Sequence, residues 1–157
     1  MIEIARAEQS SSVSPERFVA RWRDLPTHPE WATGMEYLRL DEPFAVGARG
    51  VLKVRGGHEA PFVVTEYLEG RVYADTTILD DAELTVHHSA VPSGAGSALV
   101  LRAWLTGERA AEYAAQMRDD VQRSLETDLA ALASMLESED SSSTSSGEAT
   151  KRRSEGS

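Results

Sequence analysis

Residues 109–136 read RAAEYAAQMRDDVQRSLETDLAALASML, and this stretch decides the fold. Tyr113, Met117, Val121, Leu125, Leu129, Leu132 and Leu136 recur at steps of three and four, which places them on one stripe of a helix. Glu112, Arg118, Asp119, Gln122, Arg123, Glu126 and Asp128 lie between them and suit a face turned to water. Neither Gly nor Pro interrupts the run, and Ala, Leu, Glu and Arg favour helix. At about 1.5 Å per residue such a helix is about 40 Å long. A stripe of that length needs a broad apolar surface, and the residues before it read as a sheet.

Met35–Leu40, Ala48–Arg55, Pro61–Tyr67, Arg71–Leu79, Ala82–Val91 and Ala98–Thr106 are short β-like runs separated by turns containing Gly, Pro or Asp. Their short connections imply an antiparallel meander rather than βαβ units. Upstream, Met1–Ala7 alternates Ile2 and Ile4 with charged neighbours and reads as a first strand. Ser14-Pro15 then supplies an N-cap and a favourable first helical residue. The short helix that follows carries Phe18, Val19 and Trp22 on one side. Pro26 and Pro29 break the chain, and His28–Trp31 reads as a helical turn with Trp31 in the core. The expected fold class is therefore α+β: a seven-stranded antiparallel sheet curled around a long C-terminal helix, with two short helices between strands 1 and 2. That is the helix-grip architecture.

Composition sets the limits. The 157 residues, 41% of them hydrophobic, suffice for one domain with a real core. Glu137–Ser157 contains no large apolar residue, so the expected division is a domain over 1–137 and a disordered Ser-rich tail over 138–157. No run approaches the roughly 20 apolar residues of a membrane span, and charges replace the apolar block of a signal peptide. A cytoplasmic protein is expected, as a monomer or a homodimer. The absence of Cys excludes disulfides, thiolate catalysis and Cys-ligated zinc. The net charge is −10, and −8 remains for residues 1–136 once the five acidic and three basic residues from Glu137 onward are set aside. Such a domain repels phosphate backbones, so no nucleic-acid partner is expected.

Several phrases carry a family likeness. Trp31, Glu42-Pro-Phe-Ala-Val-Gly-Ala-Arg-Gly50, Phe62-Val-Val-Thr-Glu-Tyr-Leu-Glu-Gly-Arg71 and Leu84-Thr-Val-His-His88 resemble the polyketide cyclase/dehydrase-like branch of the START-like (SRPBCC) superfamily. The resemblance covers roughly residues 1–136. It implies the same helix-grip fold, and a function among cyclases, lipid carriers and hormone receptors.

Strand parity then selects candidate site residues. In Ala82–Val91, Leu84, Val86, His88 and Ala90 share one face, and their polarity marks it as the inner one. If Asp80-Asp81 is a two-residue hairpin loop, Thr77 opposes Leu84, Asp75 opposes Val86 and Tyr73 opposes His88. A four-residue loop at Ser93–Gly96 sets Ala90 against Leu99, His88 against Leu101 and Val86 against Ala103. His88 thus lies on the inner surface beside Tyr73 and diagonally near Asp75, while His87, Arg102 and Trp104 face outward. The functional reading is a polar island in an apolar cavity. Asp75 would hold the His88 tautomer, leaving the other ring nitrogen and the Tyr73 hydroxyl for a ligand oxygen. Thr77, Leu84, Val86, Leu99 and Leu101 would line the cavity from the sheet, Met117 and Val121 from the helix. The bland alternative is a satisfied core histidine.

Other chemistries find less support. His87 and His88 point to opposite faces and cannot chelate one metal, so neither a metal nor a cofactor is expected. The Gly pairs near positions 47–50, 56–57 and 94–96 match neither a phosphate loop nor a dinucleotide fingerprint. Two functions remain. One is binding of a small hydrophobic molecule between sheet and helix; the other is a polyketide cyclase/dehydratase-like enzyme with His88 as acid/base and Tyr73 and Asp75 beside it. A protein-interaction adaptor is a weaker third.

Overall fold

The computed structural model describes residues 1–155, with side chains described through Ser141. In chain order it contains β1 (Ile2–Ser11), α1 (Pro15–Arg23), a 3-10 helix (Leu25–Glu30), β2 (Met35–Leu40), β3 (Arg49–Val54), β4 (Glu59–Leu68), β5 (Val72–Leu79), β6 (Ala82–Ser93), β7 (Gly96–Thr106) and α2 (Ala110–Glu155). The strands form one seven-stranded antiparallel sheet in the order β1-β7-β6-β5-β4-β3-β2. This is the α+β helix-grip arrangement expected from the periodicity.

Turn chemistry sets the register. Asp81 sits at φ 57°, a conformation Asp tolerates, and closes the two-residue loop from β5 to β6. Tyr73 therefore opposes His88, Asp75 opposes Val86, and Thr77 opposes Leu84. The next loop is Gly94-Ala95, two residues shorter than read from sequence, yet the register is the expected one because Ser93 pairs with Gly96. His88 opposes Leu101 and Ala90 opposes Leu99. Irregularities in β1, β2 and β4 add bends that curl the sheet. β1 runs to Ser11 rather than stopping at Ala7, because β7 offers a backbone partner to each residue from Glu8 to Ser11.

The two short helices close one end of the curl. α1 lays Phe18, Val19 and Trp22 on the sheet, all buried. Ser14 occupies the N-cap position in extended conformation, but its side chain makes no capping bond. Its carbonyl instead accepts the Arg17 N–H at 3.2 Å. The 3-10 helix packs against β2 and delivers the buried His28 and Trp31.

α2 packs chiefly on β1 and β7. Leu125, Leu129, Leu132 and Leu136 are buried, whereas Tyr113, Met117 and Val121 are half-buried. Leu132 and Leu136 at the end of the stripe are thus solid core, and the residues before them border a gap. Gln122, read from sequence as a solvated residue, clamps the sheet edge. Its amide donates to the Arg6 carbonyl at 2.8 Å and accepts the Arg6 N–H at 2.9 Å, replacing the strand that β1 lacks on that side. Past Leu136, Arg17 pairs with Glu139 at 2.9 Å and with Asp140. The Ser-rich stretch expected to be disordered lies, from residue 142, outside the residues whose side chains are described. Among the described residues no helix is long and apolar enough to cross a membrane.

Candidate functional site

Because α2 packs chiefly on β1 and β7, a cavity of about 540 Å³ remains between helix and sheet. Asp75 and Thr77 from β5, Leu84, Val86 and His88 from β6, and Leu101 from β7 form its floor. Met117, Val121, Leu125 and Leu129 form the roof, and Trp22, His28 and Trp31 the inner end. Met35, Leu38, Leu52, Val54 and Ala60 complete an apolar wall. Of the exposed lining residues, Val54, Gly57, His58, Gln116, Asp120 and Ser124 mark the mouth between the β3–β4 turn and α2.

Of the residues singled out in the sequence, His88, Asp75, Thr77, Leu84, Val86, Leu101, Met117 and Val121 line this cavity; Tyr73 and Leu99 do not. Leu99 opposes Ala90, one step beyond His88 on its face, where α1 covers the strands and the core is solid. Tyr73 is fully buried with its ring 5.4 Å from that of His88 and 6.3 Å from that of Phe44. Its hydroxyl donates to Asp75 Oδ2 at 2.6 Å. The hydroxyl expected to greet a ligand is therefore already committed, because residues i and i+2 share a face and meet.

The expected Asp75–His88 contact is also replaced. His88 Nδ1 lies 3.0 Å from the Tyr73 carbonyl oxygen. A carbonyl only accepts, so Nδ1 carries the proton. Burial, reinforced by His28, pulls the ring pKa down to about 3 against the Tyr73 bond, so the imidazole is neutral and Nε2 is a bare acceptor. What area His88 leaves uncovered faces the cavity. His28 repeats the pattern: Nε2 donates to the Trp22 carbonyl at 2.6 Å, burial lowers the pKa to about 4, and Nδ1 is left as an acceptor. Its ring stands 4.7 Å from that of Trp31.

The carboxylates move the other way. Burial raises Asp75 to about 6, with the Tyr73 hydroxyl opposing, and burial followed by the Asp75 carboxylate pushes the Tyr73 phenol well above its usual range. Asp128 is raised to about 6 by burial alone. Polarity assigns Asp128 to the wet face, but the helix turns it inward. Gln116, Asp120, Ser124 and Asp128 recur every four residues and form a polar row beside the apolar stripe, lining the same cavity. That spacing is the signal the sequence offers for them. His28 and Trp22 give none, since their place depends on how α1 packs. His87 faces outward, 3.5 Å from the Glu66 carboxylate and 6.0 Å from the Trp104 ring centroid.

No protein-family model matches the chain, and no curated protein matches it in sequence. Solved structures share its fold. The di-domain ARO/CYC protein StfQ from the steffimycin biosynthetic pathway superposes with a TM-score of 0.72 at 12% identity, over 89% of this chain and 52% of that one. A START superfamily protein from Mycobacterium smegmatis gives 0.65 at 14% identity, over 85% and 99%. A protein from Thermus thermophilus gives 0.65 at 18% identity, over 83% and 94%. This chain thus spans about half of StfQ and nearly all of the other two. The fold is the helix-grip that these structures share, the fold that the resemblance of its sequence phrases implies.

Proposed function

We propose that this START-like helix-grip chain is a cytoplasmic binding protein for a small, largely apolar molecule held between the sheet and α2. The cavity carries the reading. Side chains fill protein interiors closely, yet about 540 Å³ stays open here, within the roughly 300–1,000 Å³ of ligand pockets. Its floor and inner roof are mainly apolar, and the polar groups His28, Asp75 and His88 are held by backbone or side-chain bonds. The likeness to StfQ supports a second reading, a cyclase/dehydratase-like enzyme using His88 as acid/base with Tyr73 and Asp75. Two observations weigh against it. An imidazole with pKa about 3 is a weak base at neutral pH, and the Tyr73 hydroxyl is occupied.

Uptake of the neutral dye Nile red, read by fluorescence, tests the binding reading. Saturable one-site uptake is expected, lost in a Val86→Trp variant that fills the floor but remains folded by circular dichroism. Uptake unchanged in that variant, or none by the native chain, would refute the cavity as the binding site. Native mass spectrometry of freshly purified protein should show a small apolar molecule carried along.

A further inference from the structure

The charge of the cavity is one-sided. Asp75 and Asp128 line it, Asp120 stands at its mouth, and neither Lys nor Arg lines it among the described residues. Arg21, stacked on Trp31 at 5.2 Å and paired with Glu30 at 3.1 Å, is not part of the lining. His88 on the floor and His28 at the inner end each donate to a backbone carbonyl, which leaves the other ring nitrogen bare. Asp75 is more than nine-tenths buried and, among the described residues, receives only the Tyr73 hydroxyl on one oxygen. Asp128 is half-buried with no hydrogen bond or ion pair among the described residues. Two carboxylates removed from water without a cation are unfavourable in isolation, and an incoming positive charge relieves both.

Resting on the ligand-binding reading above, we propose that the occupant is an organic amine, its apolar body between the sheet and the α2 stripe and its ammonium met by Asp75 and Asp128. The burial that holds both carboxyls near 6 is consistent with a site completed by a cation. Ligands carrying a carboxylate or phosphate meet like charge at Asp75, Asp120 and Asp128, with neither Lys nor Arg among the described lining residues.

Three probes of one shape separate the possibilities: 1-naphthylmethylamine, 1-naphthalenemethanol and 1-naphthoate. Each is titrated calorimetrically into the full chain at pH 8. The amine is expected to bind at least about tenfold tighter than the alcohol, with naphthoate weakest. Asp75→Asn and Asp128→Asn should each weaken the amine about tenfold while leaving the alcohol within about twofold. An alcohol that binds as tightly as the amine, a preferred naphthoate, or Asn variants that leave the amine unchanged would each overturn the proposal, with the apolar-ligand reading intact. If none of the three binds and Nile red is not taken up, both readings fall.

Discussion

Replacing Asp75 by Asn should stabilise the protein at neutral pH. The carboxyl is 8% exposed, and burial lifts its pKa from an ordinary 3.8 to about 6. Each factor of ten in proton affinity is worth about 1.4 kcal/mol, so the native state carries a penalty of about 3 kcal/mol once Asp75 is ionised. The sign follows from proton counting. Between 3.8 and about 6 the folded chain binds the proton more tightly than the unfolded one, so stability is greatest at low pH and falls as pH rises through this window. Asn has the same shape, keeps an oxygen for the Tyr73 hydroxyl, and never ionises. Urea unfolding of both proteins at pH 4 and pH 8 measures the difference. The variant should gain about 1–3 kcal/mol at pH 8, and the gap should close towards pH 4. His28 and His88 act oppositely, since their lowered pKa values mean stability lost as pH falls below 6.5, but both proteins share that term. A variant equally destabilised at both pH values would show that the Asp75 charge is already compensated.

Other outcomes follow from the same contacts. Tyr73→Phe removes the hydroxyl donor of Asp75, and should cost about 1–3 kcal/mol at pH 8 by denaturant titration while moving the Asp75 pKa further up. Leu132→Ala should cost about 2–5 kcal/mol, because that side chain is fully buried. Val121→Ala, half-buried over the cavity, should cost under about 1.5 kcal/mol; equal losses would place the cavity elsewhere. Truncation after Ser141 should leave the melting temperature nearly unchanged, since residues 142–157 contain no large apolar side chain to bury, and a drop of several degrees would show docking.

The sheet is legible in the sequence because short loops and strict alternation leave one register: once Asp80-Asp81 is a tight turn, Tyr73 must oppose His88 and every later pair follows. The α2 stripe is legible for the same kind of reason, a period sustained over many turns. What stays hidden depends on packing between elements distant in sequence. Where α1 and the 3-10 helix settle decides that Leu99 is core while Leu101 faces the cavity, and that His28 enters the site. Asp128 escapes a reading by polarity, which sends carboxylates to water, because the helix borders a space that is neither core nor bulk solvent. Alternation puts Tyr73 and Asp75 on the inner face, and their two-residue separation lets each satisfy the other rather than a ligand.

The central claim is that His88 presents a neutral Nε2, without a partner among the described residues, to the cavity proposed to hold a ligand, while its neighbour His87 does not. Nitrogen-15 spectra of the imidazole rings, recorded from pH 8 to pH 5 with and without 1-naphthalenemethanol, address it directly. His88 should hold the Nδ1-protonated neutral form throughout, and its Nε2 resonance should move saturably with the added alcohol while those of His87 stay in place. A His88 that charges within this range, or a ligand response at His87 and none at His88, would contradict the account.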